Sequence, residues 1–235
     1  MKKLLTIMLI LFVGFAAFAQ DSVVVVVPED SAPSQDDSMF YLGVELGAGS
    51  INDLVMGTGA GTLVPISPMV GFEMSPVIGF RPFADSHLAL ELNVMMDWLY
   101  YTAFNAGIES TDITYMTTVI SPQFLCVYTF GNNYIRPFAG MGLGVNFNNL
   151  EVSTKEKNTS DEWETVKESI NIDPSFSLVL KSGVKLSIPD TNFDIYGLCR
   201  YNVNMPSKFK VDETTTKMQL NASNLSIALG AVYNF

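Results

Sequence analysis

Charge is scarce in this chain: Asp, Glu, Lys and Arg together make up 16% of 235 residues, and there is one histidine. A single imidazole leaves no two-histidine metal site, and no Cys, His or Asp cluster has metal-ligand spacing. Cysteine is nearly absent. Cys126 and Cys199 fall on outward faces of strands that are not neighbours. An oxidising compartment would permit a disulfide, but the pattern reads as two small apolar residues. Basic residues are the scarcer charge, 13 against 24 acidic, for a formal net charge of −11. Such a chain is a poor binder of nucleic acid. Missing too, beyond the N-terminus, is any apolar run near the roughly 18–20 residues of a membrane helix.

Apolar residues are nonetheless abundant, at 48% with a mean hydropathy of +0.26. The N-terminus concentrates some of them. Lys2 and Lys3, an apolar stretch Leu4–Phe18 and the triplet Ala17-Phe18-Ala19 form a secretory signal peptide over residues 1–19, with the expected cleavage before Gln20. The segment lacks the length of a membrane anchor, and no Cys follows it for lipid attachment. Residues 20–38 carry two Pro, five acidic residues and the run Val23–Val27, a composition that predicts a flexible periplasmic leader.

From residue 39 on, apolar residues recur at every second position, which sends one set to each face of a strand. The spacing predicts eight strands: Phe40–Ser50, Val70–Phe83, His87–Tyr101, Ile113–Phe130, Tyr134–Asn148, Pro174–Ile188, Phe193–Met205 and Met218–Phe235. The third is the most regular, with Leu88, Leu90, Leu92, Val94, Met96, Trp98 and Tyr100 on one face and Ala89, Glu91, Asn93, Met95 and Asp97 on the other. That exceeds the 9–11 residues of a tilted membrane strand. Pro76 and Pro82 predict bulges or a ragged start in the second strand. Connections alternate between long (51–68, 102–112, 149–171, 206–217) and short (83–86, 131–133, 189–192), as periplasmic turns and extracellular loops do. The Gly57–Thr62 cluster lacks the Lys and following helix of a phosphate loop, so a surface loop is expected.

The last strand ends NLSIALGAVYNF, with Tyr233 and Phe235 closing the alternation. This ending resembles the terminal signal read by the barrel assembly machinery of outer membranes. From Phe40 to Phe235 the segments FYLGVELGAGS, SPVIGFRPF, RPFAGMGLGVNFN and NLSIALGAVYNF resemble the small outer-membrane barrels of the PorT-like and OmpA/OmpX-like group. The resemblance implies an all-β, eight-stranded antiparallel up-and-down transmembrane barrel over 39–235, embedded in outer-membrane lipid, and brings no catalytic motif.

The inward face of such a barrel collects Glu45, Arg81, Glu91, Asp97, Arg136, Lys181, Lys185, Asp194 and Arg200. Eight strands enclose a space only wide enough for side chains, and buried charges need partners. A salt-bridged plug is the favoured reading, and a narrow path for ions or small hydrophobic solutes the alternative. His87 sits at the periplasmic start of its strand and reads as a structural lumen residue, so the chain is expected to be non-enzymatic, with no cofactor. Function then falls to the loop surface as a structural, adhesive or accessory-partner role. The extracellular loops 102–112, 149–171 and 206–217 are the candidate partner surfaces, above all 149–171 with its six acidic residues, three Lys and Trp163.

Overall fold

The structure, a computed structural model, describes residues 38–51, 55–57, 63–65, 69–83, 87–104, 112–131, 134–157, 163–205, 207–210, 217–220 and 223–235. Twelve strands occur among them: β1 Phe40–Ile51, β2 Val55–Gly57, β3 Leu63–Pro65, β4 Met69–Phe80, β5 Leu88–Phe104, β6 Asp112–Thr129, β7 Ile135–Lys157, β8 Trp163–Ser187, β9 Phe193–Asn204, β10 Ser207–Lys210, β11 Lys217–Leu220 and β12 Asn224–Asn234. Eight of them form a closed, wholly antiparallel barrel. Its wall runs β8-β7-β6-β5-β4-β1-β12-β9 and returns to β8 through a β8–β9 ladder. Closure joins the two edges of the eight-stranded wall to each other. The predicted signal peptide, leader and Val23–Val27 lie outside the described residues, as does most of the Gly57–Thr62 cluster.

The predicted alternation holds, and it runs opposite to that of a water-soluble protein. Leu42, Leu46, Ile78, Leu143, Phe176 and Leu229 stand on the outer surface, Leu229 with 74% of its area exposed, while Glu45, Glu73, Asp97 and Arg200 are wholly buried inside. Such a surface is stable against hydrocarbon and not against water. Aromatic pairs mark both rims. On the short-turn side Phe40–Phe80 meet tilted and Phe193–Tyr233 and Tyr233–Phe235 edge to face, each with ring centres 5.0 Å apart, and Phe72–Trp98 stack at 6.1 Å toward the long connections. Two short turns use a left-handed residue, Gly131 and Asp190, the conformation tight hairpins require. The cysteines are unpaired, Cys126 exposed and Cys199 half-buried, with β7 and β8 between their strands.

Several expectations need correction. Residues 149–171 are not simply a loop: β7 and β8, 23 and 25 residues long, pair continuously from Asn148–Ile172 out to Lys157–Trp163. A membrane crossing takes about 9–11 residues, so more than half of each strand projects past it. β5 and β6 likewise extend into the expected 102–112 loop, pairing as far as Phe104 and Asp112. The eighth strand is not continuous from Met218. β11 pairs with β10, β10 touches β8 at Phe209–Ile172, and β12 starts only at Asn224. Nor do the prolines force a bulge. Pro76 points outward in register with Val44, and the β4–β5 ladder skips Ser75 and Pro76 without losing register. β4 ends before Pro82. The register shift is in β7, between Asn146 and Asn148.

Candidate functional site

The inward-facing side chains form tiers along the barrel axis. At the short-turn mouth, Arg81 of the β4–β5 connection donates to the Ser38 carbonyl (3.0 Å) and to Asn234 (3.2 Å). Arg136 of β7 donates to Ser187 (2.5 Å) and pairs with Asp194 of β9 at 3.4 Å. The Asn234 amide donates to the other oxygen of Asp194 at 3.2 Å, tying the end of β12 into the mouth. Lys185 of β8 lies 5.3 Å from the Tyr41 ring centre and 5.9 Å from that of Tyr196.

Above the mouth is a lattice of opposite charges. Lys181 of β8 sits 2.6 Å from both Glu45 of β1 and Glu91 of β5. Arg200 of β9 holds Glu73 of β4 at 2.5 Å and also bonds Glu45. Tyr41 donates to Glu91 at 2.7 Å and Tyr196 to Glu45 at 2.9 Å. Two glycines make room for these tyrosines. Gly79 faces Tyr41 and Gly230 faces Tyr196 across adjacent strands. A β-carbon on either would stand 1.8 or 2.3 Å from the ring, so each phenol lies against bare backbone and reaches its carboxylate. Asp97 closes this tier by accepting from the Asn224 amide.

Beyond it comes an uncharged polar belt. Gln123 donates to Ser121 (3.3 Å) and Asn202 (3.4 Å), and Asn146 to Asn204 (2.9 Å). The long-loop end is sealed by a cluster of Ile51, Met69, Leu99, Leu150, Ile170 and Ile172, flanked by Tyr101, Tyr115 and Val152.

Among solved structures the fold is similar to that of the outer membrane protein OprG from Pseudomonas aeruginosa, at a TM-score of 0.51 and 11% identity over 86% of this chain and 99% of that one. The chain is a small eight-stranded barrel of the outer-membrane type. Neisserial surface protein A (TM-score 0.47, 16% identity, 83% and 97% covered) and outer membrane protein AlkL (0.46, 14%, 91% and 97%) are also similar. No family model and no curated protein matches the sequence. At these identities the likeness concerns fold alone.

All nine predicted lumen residues point into this barrel, and the structure joins them into two groups. Arg81, Arg136, Lys185 and Asp194 meet at the mouth, while Glu45, Glu91, Asp97, Lys181 and Arg200 belong to the lattice. The reading missed Glu73, fully buried against Arg200. It shares the odd-numbered face of β4 with Val77, Gly79 and Arg81, a signal obscured by Pro76. With Glu73, the described lumen holds five acidic and five basic residues. His87 lies at the mouth with its ring 5.8 Å from Tyr128, away from the lattice carboxylates. Tyr233 and Phe235 point outward on the short-turn rim. Trp163 begins β8 at the far tip of the projecting hairpin, opposite Lys157. No group of three or more His, Cys, Asp or Glu that could hold a metal occurs among the described residues.

Proposed function

We propose that this protein is a non-enzymatic barrel of a bacterial outer membrane, delivered by a cleaved signal peptide and inserted by the barrel assembly machinery, and that its working surface is the long-loop end. The observation that carries this is the filled lumen. Lys181 bridges strands on opposite sides of the interior, and an apolar seal caps the long-loop end. A plugged cylinder has its surface left to work with. The β7–β8 hairpin then serves as a docking ribbon, its mixed charges held out from the membrane. Glu164, Thr165, Val166, Lys167 and Glu168 are all exposed there, and Lys167 pairs with Glu151 at 2.9 Å across the ribbon. With six acidic residues against three lysines in 149–171, the fitting partner is a basic surface.

A second reading rests on one specific observation. Ser75, Asn93, Ser177 and Ser226 bury side-chain polar atoms that have no hydrogen-bond partner among the described residues. Such atoms take water, and a hydrated file beside the lattice is the start of a narrow conduit. Planar-bilayer recording of the refolded protein separates the two. A folded, electrically silent barrel supports the plugged display scaffold. Steady conductance whose selectivity changes in Glu91→Ala replaces it with the conduit.

A further inference from the structure

The projecting β7–β8 hairpin has two unlike faces. Opposite residues of an antiparallel ladder share a face, so the pairs Val152–Glu168 and Thr154–Val166 stand on one side. Ile170, on that side two residues below Glu168, belongs to the apolar seal, and Val152 packs against the seal, so this side is turned over the barrel axis. Glu164 falls on it by the same parity. The other side carries Ser153–Lys167 and Lys155–Thr165, and there Lys167 is already paired with Glu151. Among the described residues of the hairpin, the inner face therefore holds Glu164 and Glu168 and no base, while Lys155 and Lys167 stand outside. Both inner glutamates are exposed and make no ion pair among the described residues. Between them Val166 is 45% exposed. The ladder to β6 sets Ile113 and Tyr115, both half-buried, beside Thr154 and Val152, and the Tyr115 ring lies 6.1 Å from that of Tyr101. Strands β5 to β8 thus raise one wall whose axis side is an apolar ledge rimmed by two carboxylates. Apolar surface with such a rim marks an interaction site.

We infer that this inner face seats an extended cationic segment of a partner protein, with basic side chains on Glu164 and Glu168 and an apolar one on Val166. The assignment rests on the display role proposed above and adds the working face and the chemistry of the partner. Charge complementarity selects the occupant. Over residues 51–68, 102–112, 149–173 and 206–217 the sequence has twelve acidic residues against six lysines, so the field at the long-loop end draws cations from a distance. Spacing along β8 sets the local match. Four residues of strand put Glu164 and Glu168 about 13 Å apart with Val166 midway, which an extended segment meets by placing one apolar residue between two basic ones on the same face. An acidic segment is repelled there, and a wholly apolar one would strip water from both carboxylates without pairing them. The outer face offers Lys155 and Lys167 instead, and its one acid among the described residues, Glu151, is already engaged.

The test is fluorescence anisotropy of a dye-labelled peptide that repeats lysine, serine, leucine and serine, titrated at low ionic strength with the refolded full chain in phosphatidylcholine nanodiscs. Empty nanodiscs are the blank, and the same peptide with glutamate for lysine is the control. Saturable binding of the lysine peptide alone is expected. Glu164→Gln combined with Glu168→Gln should weaken it about tenfold, the loss of two exposed charge pairs. Ser153→Lys combined with Thr165→Lys changes the net charge equally but on the outer face, and should leave binding within about twofold. Val166→Lys, a single change on the inner face, should abolish it and carries the test should the double glutamine variant fail to fold, as read by heat-modifiable gel migration. Equal weakening by the two double variants overturns the inner-face site while leaving a basic partner for the hairpin as a whole. A lysine peptide that binds no better than its glutamate control overturns the inference outright, and the plugged scaffold is then judged by its conductance alone.

Discussion

Lys181 and Glu91 stand three strands apart around the barrel wall, yet their charged ends meet at 2.6 Å. The contact crosses the lumen, so the interior at that level is a solid tie between opposite walls. Breaking it from one side leaves a charge buried without its partner. Lys181→Met is expected to destabilise the barrel by about 3–5 kcal/mol, read as a lower urea midpoint in heat-modifiable gel migration. Combining it with Glu91→Gln recovers part of the loss, because the orphaned carboxylate goes too.

Arg200 serves Glu45 and Glu73 at once, so the two carboxylates are not equivalent in effect. Glu45 keeps Lys181 and Tyr196 when Arg200 is removed, whereas Glu73 has Arg200 as its bonded partner. Arg200→Met should therefore be rescued better by Glu73→Gln than by Glu45→Gln. Urea midpoints of the single and double variants give the coupling directly.

The glycines beneath the tyrosines allow a steric test. Gly79→Val and Gly230→Val drive side chains into the Tyr41 and Tyr196 rings, at a cost of about 1–3 kcal/mol or more from overpacking. Pairing Gly79→Val with Tyr41→Ala should relieve the clash. Recovery of folded yield in the double variant, but not in Gly79→Val alone, is the expected result.

The outer face is tested by charge. Leu229 lies opposite Leu46 near the middle of its strand and is 74% exposed. Leu229→Arg is expected to cost about 2–4 kcal/mol in bilayers, measured as reversible unfolding from lipid vesicles. The same change at Val166, on the projecting hairpin, should cost almost nothing.

Much of this architecture was legible because the bilayer imposes a period-2 pattern with one unbroken apolar face. Leu88 through Tyr100 announce their strand, and the same parity assigns Glu91 and Asp97 to the interior. Legibility fails where lipid stops. Residues 153–155 and 164–169 pair as strands, but both faces meet water, so polar residues occupy both and the alternation disappears. Those strands are held by each other and by β6, which pairs with β7 as far as Thr154, a tertiary fact without local signature. Glu73 was hidden for a different reason. Pro76 disqualifies a central strand by propensity, yet here its absent N–H falls in a gap of the β4–β5 ladder. The partners of each charge were beyond reach as well, since parity gives the face of a residue and not the strand it meets across the lumen.

The ladder between β1 and β12 differs from all others in the wall. Every other pairing joins barrel strands that follow one another along the chain, but Tyr41 meets Asn234 and Ile51 meets Asn224, while the Phe235 amide reaches back to the Phe40 carbonyl. The rest of the wall can accumulate hairpin by hairpin, as local contacts form early and cheaply. This one seam waits for both ends of the barrel sequence. Until it zips, the protein is a curled ribbon with two raw edges open to mispairing, and a chaperone or a neighbouring copy has one place to intervene.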